Sequence, residues 1–243
     1  MNLIIEQGNS ATKVAVYSQG QMIFSADYIS FNSSDWMRLL NQYPLRNGIF
    51  STVIDVEEDL ITCLESRLER FFFLDEKVRL PIAVRYQTPE TLGRDRIAVA
   101  VGANFSQPQK DILVIDAGTA ITFEVIEAAG IYLGGNISPG MTTRLHALNR
   151  FTKRLPLVSQ KEDVPLLGTS TETAILAGVV NGIVYEMDGY IDELKNKYPG
   201  LYVFLTGGHA SYFKKRLKNA IFADKNLVLI GLNRILEYNV EKQ

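Results

Sequence analysis

Apolar residues recur along this chain in two rhythms, one of strand length and one of helical spacing. Runs with β-branched residues predict strands over 2–7, 12–18 and 21–29, the last two separated by a Gln19-Gly20 turn. A short helix is expected over 35–42 and a strand over 49–54. Leu60, Leu64 and Leu68 fall four apart, one buried stripe of a helix that Asp55 or its neighbour would cap; Cys63 beside the stripe reads as a core residue. Strands around Val78 and Ala83 close this half. Pro89 opens the helical segment PETLGRDRIAVAVGANF, with Ile97, Val101 and Phe105 on its apolar face and Asp95 and Arg96 near its start. Polar SQPQKD, 106–111, is the hinge candidate. Beyond it the pattern predicts a second pair of strands, helices over 141–151 and 171–197, the latter offering its glycines as points of interruption, and a strand in LYVFLTGG. A helix over 209–219, a short strand over 227–230 and a last helix containing Leu232, Ile235 and Leu236 complete the prediction.

Two of the strand pairs repeat each other 110 positions apart, LIIEQGNSATKVAVY from Leu3 and LVIDAGTAITFEVIE from Leu113. Glu6 aligns with Asp116, Gly8 with Gly118 and Thr12 with Thr122. Each copy ends an apolar run in a carboxylate, turns through glycine and resumes as a strand. Such a turn offers backbone N–H groups to phosphate oxygens and a carboxylate to Mg²⁺ or its water shell. The TGG at 206–208 adds a third turn, where Gly207 and Gly208 leave room for adenine or ribose. No GxxxxGK[ST] run occurs and the glycine spacing is wrong for a dinucleotide fingerprint, so a two-domain ATP clamp fits better, divided as 1–110 and 111–243.

Composition narrows the partners. A net charge of −2 and a pI near 5.8 give no electrostatic footprint for nucleic acid, and the KKRLK run from Lys214 reads as a solvated helix face. With one cysteine and only His146 and His209, neither a disulfide framework nor a cysteine- or histidine-rich metal centre is supported. The absence of a basic leader and of a membrane-length apolar run sets a cytoplasmic expectation.

Several motifs then fall in a specific order: EQGNSATK at 6–13, LGRDR at 92–96, DAGTAITFE at 116–124, YLGGNISPG at 132–140, RLP at 154–156, GTSTETAILAG at 168–178 and TGG at 206–208. Over nearly its whole length the chain resembles the type III pantothenate kinases, within the acetate kinase, sugar kinase, Hsp70 and actin superfamily. The resemblance implies an α/β fold of two duplicated ribonuclease H-like (actin-like ATPase) halves, with mixed central sheets flanked by helices. It also implies a homodimer that phosphorylates the primary hydroxyl of pantothenate with ATP, the first step of coenzyme A synthesis, with Mg²⁺ and a monovalent cation, K⁺ or NH₄⁺. By the same resemblance Asp95 is the catalytic base, with Gly93, Arg94, Arg96, Tyr86 and Thr171 around pantothenate. Asp116 matches a monovalent-cation ligand and Thr119 an ATP contact. The first phosphate loop comprises Glu6, Gln7, Gly8, Asn9, Ser10, Ala11, Thr12 and Lys13.

Simpler roles stand beside these. Arg94, Asp95 and Arg96 could form only a surface ion-pair cluster, and Lys13 could project into solvent. Thr171 and Glu172 suit a helix start, where threonine caps N–H groups and an early acid meets the positive end. His209 could border a nucleotide or satisfy its turn, His146 needs no catalytic role, and Trp36 reads as a partly buried anchor. The family normally has aspartate at position 6. Glutamate keeps the negative oxygen but adds a methylene, so the expectation is an active kinase with an adapted loop. Two other readings use the same motifs: a noncatalytic regulatory or interaction protein, and a kinase for another hydroxylated acid.

Overall fold

A computed structural model describes residues 1–31, 33–56 and 58–242. In chain order the elements are β1 (Asn2–Gln7), β2 (Thr12–Ser18), β3 (Gln21–Tyr28), α1 (Ser33–Gln42), β4 (Asn47–Thr52), α2 (Glu58–Arg67), β5 (Arg70–Phe73), β6 (Ala83–Val84), a 3₁₀ turn (Pro89–Thr91) and α3 (Arg94–Ser106). They continue as β7 (Ile112–Ala117), β8 (Ala120–Glu127), β9 (Ile131–Pro139), α4 (Met141–Phe151), α5 (Thr171–Lys197), β10 (Tyr202–Thr206), α6 (Ala210–Lys214), β11 (Phe222–Ala223) and α7 (Leu227–Glu241). The chain forms two compact units. The first holds Met1–Pro108, Gly130–Tyr132 and the stretch from Asn226; the second holds Gln109–Ala129 and Leu133–Lys225.

The first unit is built on a mixed sheet ordered β3-β2-β1-β4-β5, antiparallel through β1–β3 and parallel from β1 to β5. Leu3, Ile4 and Ile5, Val14 to Val16, and Ile49 and Phe50 are buried, so the central strands lose both faces to the interior. This explains their continuous apolar runs. β3 instead alternates between exposed and half-buried positions, as an edge strand does. Leu64 and Leu68 are buried beneath this sheet with Leu60 packed against them; the cap position before α2, residue 57, lies outside the described residues. Trp36 is buried, its ring edge-on to Phe31 at 4.1 Å.

Helices α3 and α7 cross with their backbones nearly touching. A Cβ built on Gly231 would lie 1.8 Å from Ala98 O, and one on Gly102 2.1 Å from Leu227 O. Two glycines, 129 positions apart by number (102 and 231), thus meet at one crossing. This packing corrects two expectations. The apolar run 227–230 is the first turn of α7, not a strand; Leu227, Val228 and Leu229 are all buried, so an amphipathic period is lacking. Phe105 is 55% exposed and lies outside the buried face of α3, which instead takes in every residue from Arg96 to Ala103.

The second unit orders its strands β11-β10-β7-β8-β9. Read from β9, this is the third, second, first, fourth and fifth strands in sequence, the order of the first unit, so the duplication extends from motif to topology. The helix α5 runs unbroken from Thr171 to Lys197 and buries Ile175, Leu176, Val179, Val180, Ile183, Met187 and Ile191. Its glycines at 178, 182 and 189 have nothing within 4 Å of a built Cβ, so they neither kink nor crowd it.

Other boundaries move for local reasons. The expected strand at Val78 falls instead at Arg70–Phe73, parallel to β4. Pro89 opens only the 3₁₀ turn, and Gly93 is the residue that precedes α3. The helix expected over 209–219 stops at Lys214. Arg216 there stacks on Tyr212 at 3.7 Å and Lys218 pairs with Asp192 at 2.7 Å, so the KKRLK run is a tethered turn rather than a helix face. Among the described residues, no helix is long and apolar enough to cross a membrane.

Candidate active site

The first acidic turn lies between β1 and β2. Gly8 N–H donates to Ala11 O at 3.0 Å, closing the loop, and Val53 N–H donates to Gln7 O at 3.1 Å, tying its base to the end of β4. Glu6 is nearly buried and stands opposite Lys13 in the ladder, with Oε2 3.7 Å from Lys13 Nζ. Lys13 therefore offsets the charge of Glu6 rather than projecting into solvent alone. The longer glutamate side chain reaches beneath the turn, where Oε1 would be 3.2 Å from a Cβ on Gly8. Asn9 and Ser10 are exposed at the tip.

The two copies are not in identical register. Glu6 faces Lys13 across its hairpin and Gln7 faces Thr12, whereas Asp116 faces Thr122. The first loop is thus one residue longer, and the sequence alignment of Thr12 with Thr122 does not survive as a structural equivalence. A loop insertion between paired strands shifts every partner beyond it, and only pairing reveals it.

The LGRDR motif forms the entry to α3. Asp95 sits in the first helical turn and accepts from Arg96 N–H at 2.8 Å through Oδ1, which fixes the carboxylate against its own helix. A Cβ on Gly93 would meet that oxygen at 2.6 Å, so glycine there leaves space for the carboxylate. Arg96 is 6% exposed and its guanidinium lies 5.8 Å from the centre of the Tyr86 ring. Tyr86 packs in turn toward Tyr132 at 6.2 Å. Arg94 approaches Glu76 at 3.6 Å. Tyr86, Arg94, Asp95 and Arg96 are therefore one cluster, and the burial of Arg96 is more than a solvated surface ion pair requires.

In the second unit the turn after β7 places Asp116, half-buried, ahead of Gly118, whose N–H donates to Ala120 O at 3.0 Å. Gly207 packs directly on it: φ is +92°, and an added Cβ would stand 2.3 Å from Asp116 Oδ1 and 2.7 Å from Ala117 N. His209 N–H donates to Ala117 O at 3.0 Å, binding the TGG turn to the same strand end. Gly208 is exposed with open space around it. The structure thus brings Asp116, Gly207 and Gly208 together. Sequence reasoning missed the third wall of this site: Gly140 N–H and the Thr143 hydroxyl both donate to Thr119 O, at 3.0 and 2.7 Å. The SPG ending the LGGNISPG motif was the available signal, although nothing in it names its partner.

Thr171 is exposed at the first position of α5 and does not cap it. Ser170 does, with Thr173 returning the bond to the Ser170 N–H in a capping box, while Glu172 pairs with Lys161 at 2.8 Å. His146 is exposed on α4. Burial depresses the His209 imidazole below its usual range, and its Nδ1 is buried without a hydrogen-bond partner, as suits a neutral ring filling the turn. Among the described residues no cluster of three His, Cys, Asp or Glu side chains could by itself hold a metal ion.

The family model for type III pantothenate kinase matches residues 2–193. A type III pantothenate kinase of Phocaeicola vulgatus is 49% identical over 240 residues, covering 98% of this chain and 99% of that protein. One from Bacteroides fragilis is 50% identical over 240 residues and covers 98% of each. Among solved structures, a Sinorhizobium meliloti protein assigned as a 2-dehydro-3-deoxygalactonokinase superposes with a TM-score of 0.63 at 11% identity, over 98% of this chain and 99% of that one. That likeness concerns the fold alone, a duplicated α/β architecture of two mixed sheets flanked by helices.

Proposed function

Because the chain belongs to the type III pantothenate kinase family, and so transfers phosphate from ATP to pantothenate, we propose that Asp95 is the general base of that transfer. The observation that carries the assignment is the carboxylate held on the first turn of α3, with Oδ1 accepting from the Arg96 N–H; in this reading Oδ2 takes the substrate hydroxyl. The pantothenate oxygen attacks the γ-phosphorus, the bond from that phosphorus to the bridging oxygen of ADP breaks, and the hydroxyl proton passes to Asp95. Because the transition state of such transfers is loose, the residues act chiefly by placing the two substrates in line. Arg94 or Arg96 supplies a planar donor fork for the pantothenate carboxylate, and Tyr86, beside Arg96, lines the same substrate.

On the nucleotide side, the loop from Glu6 to Lys13 of the first unit offers backbone N–H groups suited to phosphate oxygens; in the second unit the turn through Thr119 offers the same, and Gly207 and Gly208 leave room for a nucleoside. Mg²⁺ fits this donor set. It favours few protein carboxylates completed by substrate phosphates and water, and Glu6, its charge partly offset by Lys13, suits contact through a bound water. Asp116 supplies a hard oxygen for a monovalent cation, K⁺ or NH₄⁺. Bound there, the cations would offset polyphosphate charge.

The working unit is a homodimer in the cytoplasm, where ATP is supplied. In support, the second unit leaves Tyr185, Ile137, Leu166 and Leu167 exposed, and it carries a groove of about 690 Å³ lined by Phe123, Tyr190, Leu194 and Tyr198.

The test is mass-resolved conversion of pantothenate and ATP to phosphopantothenate and ADP with Mg²⁺, in matched potassium and sodium buffers. Asp95→Asn should lower kcat by roughly 10²–10⁴-fold, the usual worth of a positioned base. Retention of turnover within about tenfold would reject Asp95 in that role.

A further inference from the structure

Arg144 and Glu186 have no part in the transfer described above, yet Arg144 is bound from three sides. Its Nε donates to Pro139 O at 2.7 Å and Nη2 to Ser138 Oγ at 3.2 Å, while the same Nη2 forms a close ion pair with Glu186 of α5. Both side chains are about four-fifths buried, at 23% and 21% exposure. An arginine of α4 thus reaches back to the last residues of β9 and sideways to the middle of α5.

The segment it grips is the one that braces the second nucleotide turn. Gly140 N–H and Thr143 Oγ1 converge on Thr119 O, and a Cβ on Gly140 would stand 2.2 Å from Gly118 O and 2.6 Å from Thr119 O. At Gly140, backbone is therefore packed on backbone, which leaves little slack between that residue and the turn. A shift of Pro139 would reach Thr119 through the adjoining Gly140. An ion pair serving stability alone would need only the carboxylate; here the guanidinium fork also takes a main-chain carbonyl and a serine hydroxyl of this segment, which a lysine ammonium could not do in one geometry.

We propose that Arg144, itself oriented by Glu186, is a positioning residue that sets the Asp116–Thr119 turn for ATP. The proposal rests on the assignment of that turn to the nucleotide. It predicts a selective effect: the affinity for ATP depends on Arg144, and the affinity for pantothenate does not.

The experiment measures kcat, both KM values and thermal midpoints for Arg144→Lys, Arg144→Met, Glu186→Gln and Thr119→Asp. Arg144→Lys, which keeps the charge but loses the fork, should raise the KM for ATP about tenfold, equivalent to about 1.4 kcal/mol, and leave the KM for pantothenate within about twofold. Arg144→Met should exceed it, and Glu186→Gln should move in the same direction by about threefold. If Arg144→Met fails to fold, Arg144→Lys and Glu186→Gln decide the matter. An unchanged KM for ATP in those two variants, or a fall in midpoint with both KM values moving together, overturns the positioning role. Thr119→Asp separates the two levels, because a new negative charge on this exposed turn must repel polyphosphate if ATP binds there. A raised KM for ATP in Thr119→Asp but not in Arg144→Lys removes the role of Arg144 alone. An unchanged KM for ATP in Thr119→Asp removes the nucleotide assignment and the proposal with it.

Discussion

Replacing Gly207 by alanine adds one methyl group at the tightest contact of the second turn. That methyl would lie 2.3 Å from Asp116 Oδ1 and 2.7 Å from both N and C of Ala117. Ordinary carbon contacts lie near 3.5 Å, so either the carboxylate retreats by roughly 1 Å or the TGG turn lifts away from β7. The backbone adds its own cost, since φ at Gly207 is +92° and an L-residue held in a left-handed conformation loses about 1–2 kcal/mol. With about 1–3 kcal/mol for overpacking, the variant should be destabilised by about 2–5 kcal/mol. The catalytic effect is separable. Displacement of Asp116 by roughly 1 Å should lower kcat/KM for ATP by about 100-fold. Thermal unfolding and coupled turnover of pantothenate and ATP read the two quantities, with Gly208→Ala as the stability control because nothing lies within 4 Å of its built Cβ. A Gly207→Ala protein with a midpoint and kcat/KM like those of the parent would refute the claim that this glycine holds Asp116 in place.

Gly231→Ala should cost about 3 kcal/mol or more in urea unfolding, because its Cβ would lie 1.8 Å from Ala98 O and α3 and α7 would have to separate; a change below about 1 kcal/mol would show that the crossing is loose. The depressed His209 pKa gives a signed pH dependence. The unfolded chain takes the proton first, so stability is full above the unfolded value of about 6.5, falls as pH descends toward the lower folded value, and levels below it. His209→Gln should flatten this slope in midpoints measured from about pH 5 to 8, and an unchanged slope would assign it to another group. Glu6→Asp withdraws the carboxylate from beneath Gly8 and lengthens the Lys13 pair; turnover comparable to the parent is expected if the loop is adapted to glutamate, and rescue of a nearly inactive parent would overturn that reading.

The elements read most securely from the sequence were those whose burial matched a simple period. Strands β1 and β2 and the helices α4 and α5 lie where turn residues and apolar runs put them, although the cap of α5 is Ser170 with Thr173 and not the expected Thr171. Where burial was all-round the period vanished, and the first turn of α7 passed for a strand. The chemical site was legible in the same degree. Carboxylate, glycine and arginine motifs announce themselves by residue type, but the brace on Thr119 consists of a glycine N–H and a threonine hydroxyl, groups present everywhere in a chain.

The sequence by itself therefore determined the α/β class, the paired acidic turns, the GRDR cluster and, through the order of its motifs, the family. The turns and the GRDR motif are local, encoded within about ten residues by turn propensity, burial pattern or functional-group chemistry, while the class and the family rest on the succession of such signals along the chain. Tertiary structure alone decided the contacts between residues distant in sequence: the meeting of Gly102 with Gly231 and the packing of Gly207 on Asp116. Their cause is steric exclusion between backbone segments, and a glycine carries no mark in the sequence of which distant carbonyl it must approach.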